Sequence, residues 1–593
     1  MSASKTLIKS WWQKAKSSAW RFLAIFKKRL PDQEEIDKKL VYSLSPRKIP
    51  SREQLRHLNK FLNPREFLAV KVSFLIIIVS VVYLGVSFVK SSLQYSPLAG
   101  GTYIEALVGY PKNITPWHAL SRDVDADLSR LLYSRLFYYD ANGRLQADLV
   151  TDLKISPDHK EYQFQITDQA RWHNGEPLTA ADVVFTIETI QNPSFYSPLR
   201  SALSLAKVEQ IDNFSFKLRL EEPYAPFLEL LTFGISSREL WKNVSPEAAI
   251  LSDLNLKVIG SGPYRFKSLV RSSAGDLREY HLEANKDYYG PVPYISELQF
   301  KFFSDYDEAL GALNSRQVDG LSFLPFDKRS ALTMKSSLNI YELPQARLVS
   351  LFFNQNKNQA LADRETRSSL AQALDKDELV ERIFNGAYQR ADGPIFSASW
   401  AYNDNVPRHN YNPEAATEKL SAGPFRAVLT VVDYGQNTAV AQAVKDYWEA
   451  AGAEISIRSV SGEQAAEIIK NRDFEILLYG QSVGGDPDVY AFWHSSQSGA
   501  NGLNLANYNN SEVDKLLLEA RASTIEDERR EKYYKFQEII ATDLPAIFLY
   551  SPSYTYVQNN KVQGFSSRPL FSPSDRFSDV SAWYIKTKKK LSF

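Results

Sequence analysis

The chain of 593 residues contains no cysteine. Disulfides, thiol catalysis and cysteine-based zinc sites are therefore excluded, and so is a lipid anchor attached through cysteine. Histidine is scarce: His57, His118, His159, His173, His281, His409 and His494 are scattered, with no HExxH or paired spacing. A metal centre thus has no support in the residue pattern. Also missing are the Gly-x-Ser-x-Gly elbow, the Walker A loop and the GxGxxG fingerprint. A Ser-x-x-Lys at Ser204 and Lys207 is a chance-level match in a chain rich in both residues. Carboxylates are plentiful, but no spacing singles out an acid and a base. The expectation is a protein that is not an enzyme and carries no cofactor; turnover of bound ligand would reveal a hydrolase instead.

What the chain does have is ordinary globular composition, 44% hydrophobic and 23% charged, which argues against disorder. Its length leaves room for about three or four folding units. Aromatic residues reach 13%, with 32 Tyr, 33 Phe and 10 Trp. Such a surplus suits either a large aromatic core or a ligand cleft. The formal charge of +1 hides an asymmetry. Residues 1–66 carry 16 Lys/Arg against 6 Asp/Glu, while the remainder is net acidic. A basic head on an acidic body is a membrane-topology signal more than a nucleic-acid signal.

Residues 72–89 read VSFLIIIVSVVYLGVSFV, without a charge and bounded by Lys71 and Lys90. With residues 67–70 added, the stretch is long enough to cross a hydrocarbon core of about 30 Å at about 1.5 Å per residue. Inside a bilayer its backbone must satisfy its own hydrogen bonds, so residues 67–90 are expected as one transmembrane helix. The positive-inside rule then places the basic head, 1–66, in the cytoplasm and the body outside, in a single-pass arrangement. The preceding region is too long for a cleaved signal peptide, so an uncleaved anchor is expected. In the head, Trp11, Trp12, Trp20, Phe22 and Phe26 interleave with Lys14, Lys16, Arg21, Lys27 and Lys28. That pattern fits a helix on anionic lipid or a solvated basic tail. Nucleic acid is not an expected partner, because the juxtamembrane basic run has a lipid partner at hand.

Residues 91–97 read as a linker. Beyond it, strand-like and helix-like segments mix, which argues for an α/β body. Residues 102–108 (TYIEALV), 162–166 and 214–220 alternate as strands do. Thr179 is a helix N-cap with Asp182 at the capping-box position, ahead of Val183, Val184, Ile187 and Ile190. Residues 363–384 are expected as one long helical region ending near Asn385-Gly386. Residues 439–451 are another, closed by Gly452, with a strand at 454–458 directly after.

Several of these segments resemble the peptide/nickel-type solute-binding proteins of ABC transporters, the family 5 solute-binding proteins. The strongest is residues 162–190, YQFQITDQARWHNGEPLTAADVVFTIETI: a strand, an aromatic-x-Asn-Gly turn, then Pro-Leu-Thr-Ala-x-Asp-Val-Val-Phe opening a helix. Gly260-Ser-Gly-Pro-Tyr264, Asn285 to Gly290, Phe353-Asn354, Asn412 to Ala416, and Asp486-Pro-Asp488 with Asn507-Tyr508 follow in the family's order. The resemblance covers about residues 100–565. It implies a two-lobed type II periplasmic-binding-protein fold with an extra subdomain, preceded here by the transmembrane helix. Residues 98–345, completed by 546–593, would form lobe one, and 346–545 lobe two. A ligand would stabilise closure of the lobes, and ABC permease subunits would receive the closed form.

In peptide-binding members an aspartate three residues before the Asp-Pro element pairs with the ligand's α-ammonium. Here that position is Val483, which cannot do so. Either the ligand lacks a free α-amine or another carboxylate supplies the partner. Asp486 is a candidate through a shifted loop; turning or capping the loop is its competing role. Tyr110, Trp400, Tyr479, Gln481, Ser482 and Val483 complete the expected ligand-binding set, with core packing as the competing reading for the aromatics. Phe492 and Trp493 are expected to pack, and His494 to lie on the surface. The functional expectation is a monomeric, membrane-anchored receptor of an ABC importer that captures a small peptide-like solute. The alternative is a signalling or scaffold protein that senses ligand with the same fold, favoured by the Trp-rich head.

Overall fold

A computed structural model describes residues 62–91, 93–423 and 425–591. The aromatic-basic pattern at residues 11–28 lies outside the described residues. The chain divides after Tyr95 into an N-terminal unit and the body Ser96–Lys588. In the first unit, Pro64–Ser91 is one 28-residue helix. Its apolar stretch Pro64–Gly85 is long and apolar enough to cross a membrane, and no residue of that stretch is buried. Residues 93–98, within the stretch read as a linker and its end, form the strand Leu93–Leu98.

The body is α/β and two-lobed, built on two large mixed sheets. The seven-stranded sheet of the first lobe runs, in spatial order, Leu338–Pro344, Ser553–Asn559, Gly320–Leu321, Thr102–Val108, Glu297–Phe303, Leu277–Ala284 and Tyr264–Arg271. The six-stranded sheet of the second lobe runs Gln389–Arg390, Ala546–Ser551, Arg347–Phe353, Ile476–Ser482, Arg426–Val432 and Glu454–Val460. The chain passes between the sheets at Gln345-Ala346 and returns at Pro552. The two crossings are stitched together: Gln345 N donates to Pro552 O at 3.1 Å, and Ser551 Oγ donates to Gln345 O at 2.9 Å. Ala546–Ser551 pairs with Arg347–Phe353, so this strand belongs to the second lobe rather than to the first. Buried residues run on from 546 to 557 with only the half-buried Pro552 to mark the change of sheet.

The subdomain is a four-stranded antiparallel sheet, Val150–Ile155, Glu161–Ile166, Ser215–Leu220 and Ala206–Gln210. The alternation seen in the sequence becomes register: Tyr162 faces Leu218 and Phe164 faces Phe216. The two phenylalanine rings stack at 4.8 Å, burying the face that the pleat points inward. Thr179 caps the helix Ala180–Gln191, and its backbone N–H donates to Asp182 Oδ2 at 2.8 Å. Asp182 Oδ1 also accepts from Arg238 N, so the cap doubles as a tertiary tie. Residues 363–384 form two helices rather than one, Arg364–Gln372 and Lys376–Phe384. Asp375 caps the second, accepting from Glu378 N at 2.9 Å. The apolar spacing runs through the break and conceals it.

Gly260-Ser-Gly-Pro is explained by close approach. A Cβ on Gly260 would sit 1.9 Å from the Leu132 carbonyl oxygen, and one on Gly262 2.6 Å from that of Leu131. His173 locks the contact, its N–H donating to Gly260 O and its Nδ1 accepting from Gly260 N. The Trp172-to-Gly175 turn and this loop are therefore one packing unit.

The C-terminal segment is held to the first lobe by charge. Arg576 is fully buried and donates to both oxygens of Asp127, at 2.7 and 2.6 Å, and to Glu105 Oε1 at 2.8 Å. Replacing this guanidinium would leave two buried carboxylates unneutralised. Arg576→Met should lower unfolding free energy by about 3–5 kcal/mol in chemical denaturation; a loss under about 1 kcal/mol would mean that the cluster is not a fastening. Gly260→Ala must displace backbone, and should cost about 1–3 kcal/mol or more in the same assay; wild-type stability would contradict the close approach.

Candidate functional site

The second-lobe strand Ile476–Ser482 pairs antiparallel with Arg347–Phe353, so its end, Ser482, lies opposite Arg347 beside the first crossing. The next residue is tied to the crossing itself: Val483 N donates to Ala346 O at 2.8 Å. From there the Gly-Gly loop reaches the first lobe. Asp486 N donates to Glu229 Oε2 at 2.5 Å. A Cβ on Gly485 would fall 2.5 Å from the Tyr139 ring, so a glycine is what lets the loop lie against that tyrosine. Gly484 lies nearby, its Cβ position 3.9 Å from Glu229 Oε2.

Glu229 comes from the 3-10 helix Ala225–Leu231 of the first lobe, which Pro226, Phe227 and Leu231 anchor in the core. The preceding residue, Tyr224, donates its hydroxyl to Asp488 Oδ2 across the junction at 3.2 Å. Arg521 pairs with the same Asp488 at 3.0 Å and lies between two rings, 4.8 Å from Tyr224 and 4.2 Å from Tyr490. Such a sandwich suits a guanidinium.

Asp486 is bound deeper. Its carboxylate pairs with Arg529 at 2.5 Å, each side chain under a tenth exposed. Arg529 Nε is held by Ala520 O at 3.0 Å, and the guanidinium stands 5.2 Å from the Trp400 ring and 5.7 Å from Tyr533. Burial still pushes the Asp486 carboxyl up, against the pull of Arg529. Glu229 is pushed up by burial and then by the charge of Asp486. The Tyr139 hydroxyl is raised by its own burial and by Glu229.

The residues singled out from the sequence fall into two places. Tyr479, Gln481, Ser482, Val483 and Asp486 follow one another along the strand and loop, and Trp400 joins them through Arg529. Tyr479 and Trp400 are half-buried against the second-lobe core. Gln481 Nε2 donates to Leu503 O at 3.1 Å, and Ser482 is exposed. Tyr110 stands apart, packed in the first lobe 6.4 Å from Phe302. Trp493 is buried in the core of the second lobe. His494 is buried, not on the surface, because it caps a 3-10 turn and stacks on Tyr490 at 4.2 Å.

Glu229, Tyr139, Tyr224, Arg521 and Arg529 escaped sequence reasoning, since no motif or spacing in the surrounding apolar, aromatic or charged stretches marks them. Among the described residues, no three His, Asp or Glu side chains cluster as metal ligands would. A separate groove of about 870 Å³ in the first lobe, lined by Arg130, Tyr138, Asp148, Tyr288, Tyr289 and Val292 among others, contains none of the expected site residues.

Residues 144–504 match the family of bacterial extracellular solute-binding proteins, family 5. A probable D,D-dipeptide-binding periplasmic protein, DdpA of Escherichia coli, is 25% identical over 453 residues, covering 74% of this chain and 86% of its own length. The oligopeptide-binding protein AppA of Bacillus subtilis is 24% identical over 514 residues, covering 82% of this chain and 92% of its own. Among solved structures, the ABC transporter substrate-binding protein CtaP of Listeria monocytogenes superposes with a TM-score of 0.72 at 25% identity. That match covers 82% of this chain and all of CtaP. With three-fifths of its length matched and the two-lobed architecture in place, the chain belongs to the bacterial extracellular solute-binding proteins of family 5.

Proposed function

We propose that this chain is a membrane-anchored receptor that captures a small peptide-like solute between its lobes and passes it to the permease of an ABC importer. The observation that carries the reading is the lobe junction. Two short crossings join the sheets, and the loop Val483–Asp488 starts on one crossing and touches the opposite lobe. A junction with so few connections can hinge, and a guest held between the lobes would bias it toward closure. The peptide character rests on the relatives, one named for D,D-dipeptides and one for oligopeptides.

In this reading Tyr110, Trp400, Tyr479, Gln481, Ser482 and Val483 line the cleft, with Asp486 fastening the loop through Arg529. Aromatic walls give contact area with few side-chain torsions to freeze, which suits recognition of varied side chains. The helix Pro64–Ser91 serves as an uncleaved, single-pass anchor, with residues 1–66 cytoplasmic and the body outside. Tethering keeps the receptor near its permease and raises the effective concentration of the docking partner. The receptor acts as a monomer in this role.

Small-angle scattering of the body, titrated with a mixed tetrapeptide library, should show a saturable, reversible fall in the radius of gyration. An unchanged curve at millimolar peptide would contradict capture by closure. Carbonate extraction should leave the full chain in the membrane fraction and release a chain starting at Ser96; extraction of the full chain would contradict the anchor.

A further inference from the structure

The groove of about 870 Å³ in the first lobe has the volume of a small-molecule site. Tyr138, Tyr288, Tyr294 and Val292 give it aromatic and apolar surface, and Arg130, Arg135, Asp148 and Asp579 give it charge. Three of these charged groups are accounted for within the chain. Arg130 donates to Ser578 Oγ and lies 3.6 Å from Asp575. Asp579 pairs with Arg568 at 2.7 Å. Asp148 accepts the Tyr289 hydroxyl on Oδ1 and the Arg135 backbone N–H on Oδ2, the latter at 3.1 Å.

Arg135 is the exception. It is only 7% exposed, yet among the described residues no carboxylate forms an ion pair with its guanidinium. Its one side-chain hydrogen bond runs to Arg130 O at 3.2 Å, in the last turn of the helix Asp123–Leu132. That bond caps the helix and uses one donor among the several a guanidinium carries. The others have the groove to turn to, since Arg135 lines it. The residue's backbone is fixed on both sides: its N–H is held by Asp148, and its carbonyl accepts from Leu149 N at 3.0 Å. The cation is thus presented from a rigid frame. Tyr138 and Tyr139 point to opposite faces of the short strand Phe137–Tyr139. Tyr139 meets Gly485 at the lobe junction, whereas Tyr138 lines the groove.

We propose that this groove is a second ligand site, apart from the space between the lobes, and that it takes a small aromatic carboxylate. Arg135 holds the carboxylate and the tyrosines cover the ring. A planar guanidinium fork matches a carboxylate in shape. One unpaired cation calls for one negative charge; a dianion such as phosphate would bring a second charge close to Asp148 and Asp579. Tyr138, Tyr288 and Tyr294 offer rings for edge or face contact with a flat body, at little cost in side-chain torsions. The site stands on the first lobe alone, so it does not depend on peptide capture in the cleft.

The test uses the full chain in detergent with benzoate as probe, benzamide as its neutral counterpart and acetate as the carboxylate without a ring, read by saturation-transfer NMR titration. Benzoate should bind saturably, and benzamide and acetate each about ten-fold more weakly or worse, the usual worth of a hydrogen bond to a charged group or of a buried ring. Arg135→Gln keeps a donor for Arg130 O and should bring benzoate down to the level of benzamide. Val292→Trp fills the groove without touching the guanidinium and should abolish binding of both, which covers the case in which the first variant does not fold. A saturating tetrapeptide mixture should leave benzoate in place. Equal binding of benzoate and benzamide by wild type, or no benzoate binding at tens of millimolar, would overturn the proposal. So would benzoate binding undiminished in either variant, or displacement by the peptides, since the probe would then lie elsewhere.

Discussion

The buried ion pair at the lobe junction is the contact on which the rest of the candidate site depends. Asp486 and Arg529 form a buried pair that fixes the loop on the second lobe. The loop's backbone then meets Glu229 on the first. Removing Arg529 would leave Asp486 buried without a cation, and the loop would have no reason to hold its course. Gly485 is as much a part of this device as the charges, since a side chain there would collide with Tyr139. Trp400 and Tyr533 enclose Arg529 and keep water from weakening the pair.

The inter-lobe crossings and the candidate site are consequently contiguous. Val483 hangs from Ala346 at the first crossing, and the second crossing at Pro552 is stitched to Gln345 next to it. Contacts across the junction are both polar and aromatic: Tyr224 with Asp488, Glu229 with the Asp486 N–H, the Tyr139 ring against Gly485, and Phe326 of the first lobe against Phe384 and Tyr388 of the second.

Much of the fold was readable because its signals are local. The alternation at 162–166 and 214–220 is a direct imprint of a one-faced sheet, and Thr179 with Asp182 marks a helix start wherever it occurs. The motif Gly260-Ser-Gly-Pro could be recognised but not explained until Leu131 and Leu132 were seen pressed against it. The break at Asp375 stayed hidden because apolar spacing continues through it, and the sheet change at Pro552 because both flanking strands are buried. The site was half legible. Strand and loop residues 479–486 are contiguous, so finding one finds the others. Glu229 lies some 250 positions away in a run of apolar residues, and only the tertiary contact with Asp486 reveals it.

The proposed role, capture of a peptide-like solute between the lobes, is open to direct examination. The most direct examination is native mass spectrometry of the full chain released gently from its own membranes, followed by sequencing of whatever is ejected from it. The account predicts one small peptide-like molecule per chain. A chain that carries none and accepts none from a peptide mixture would contradict it.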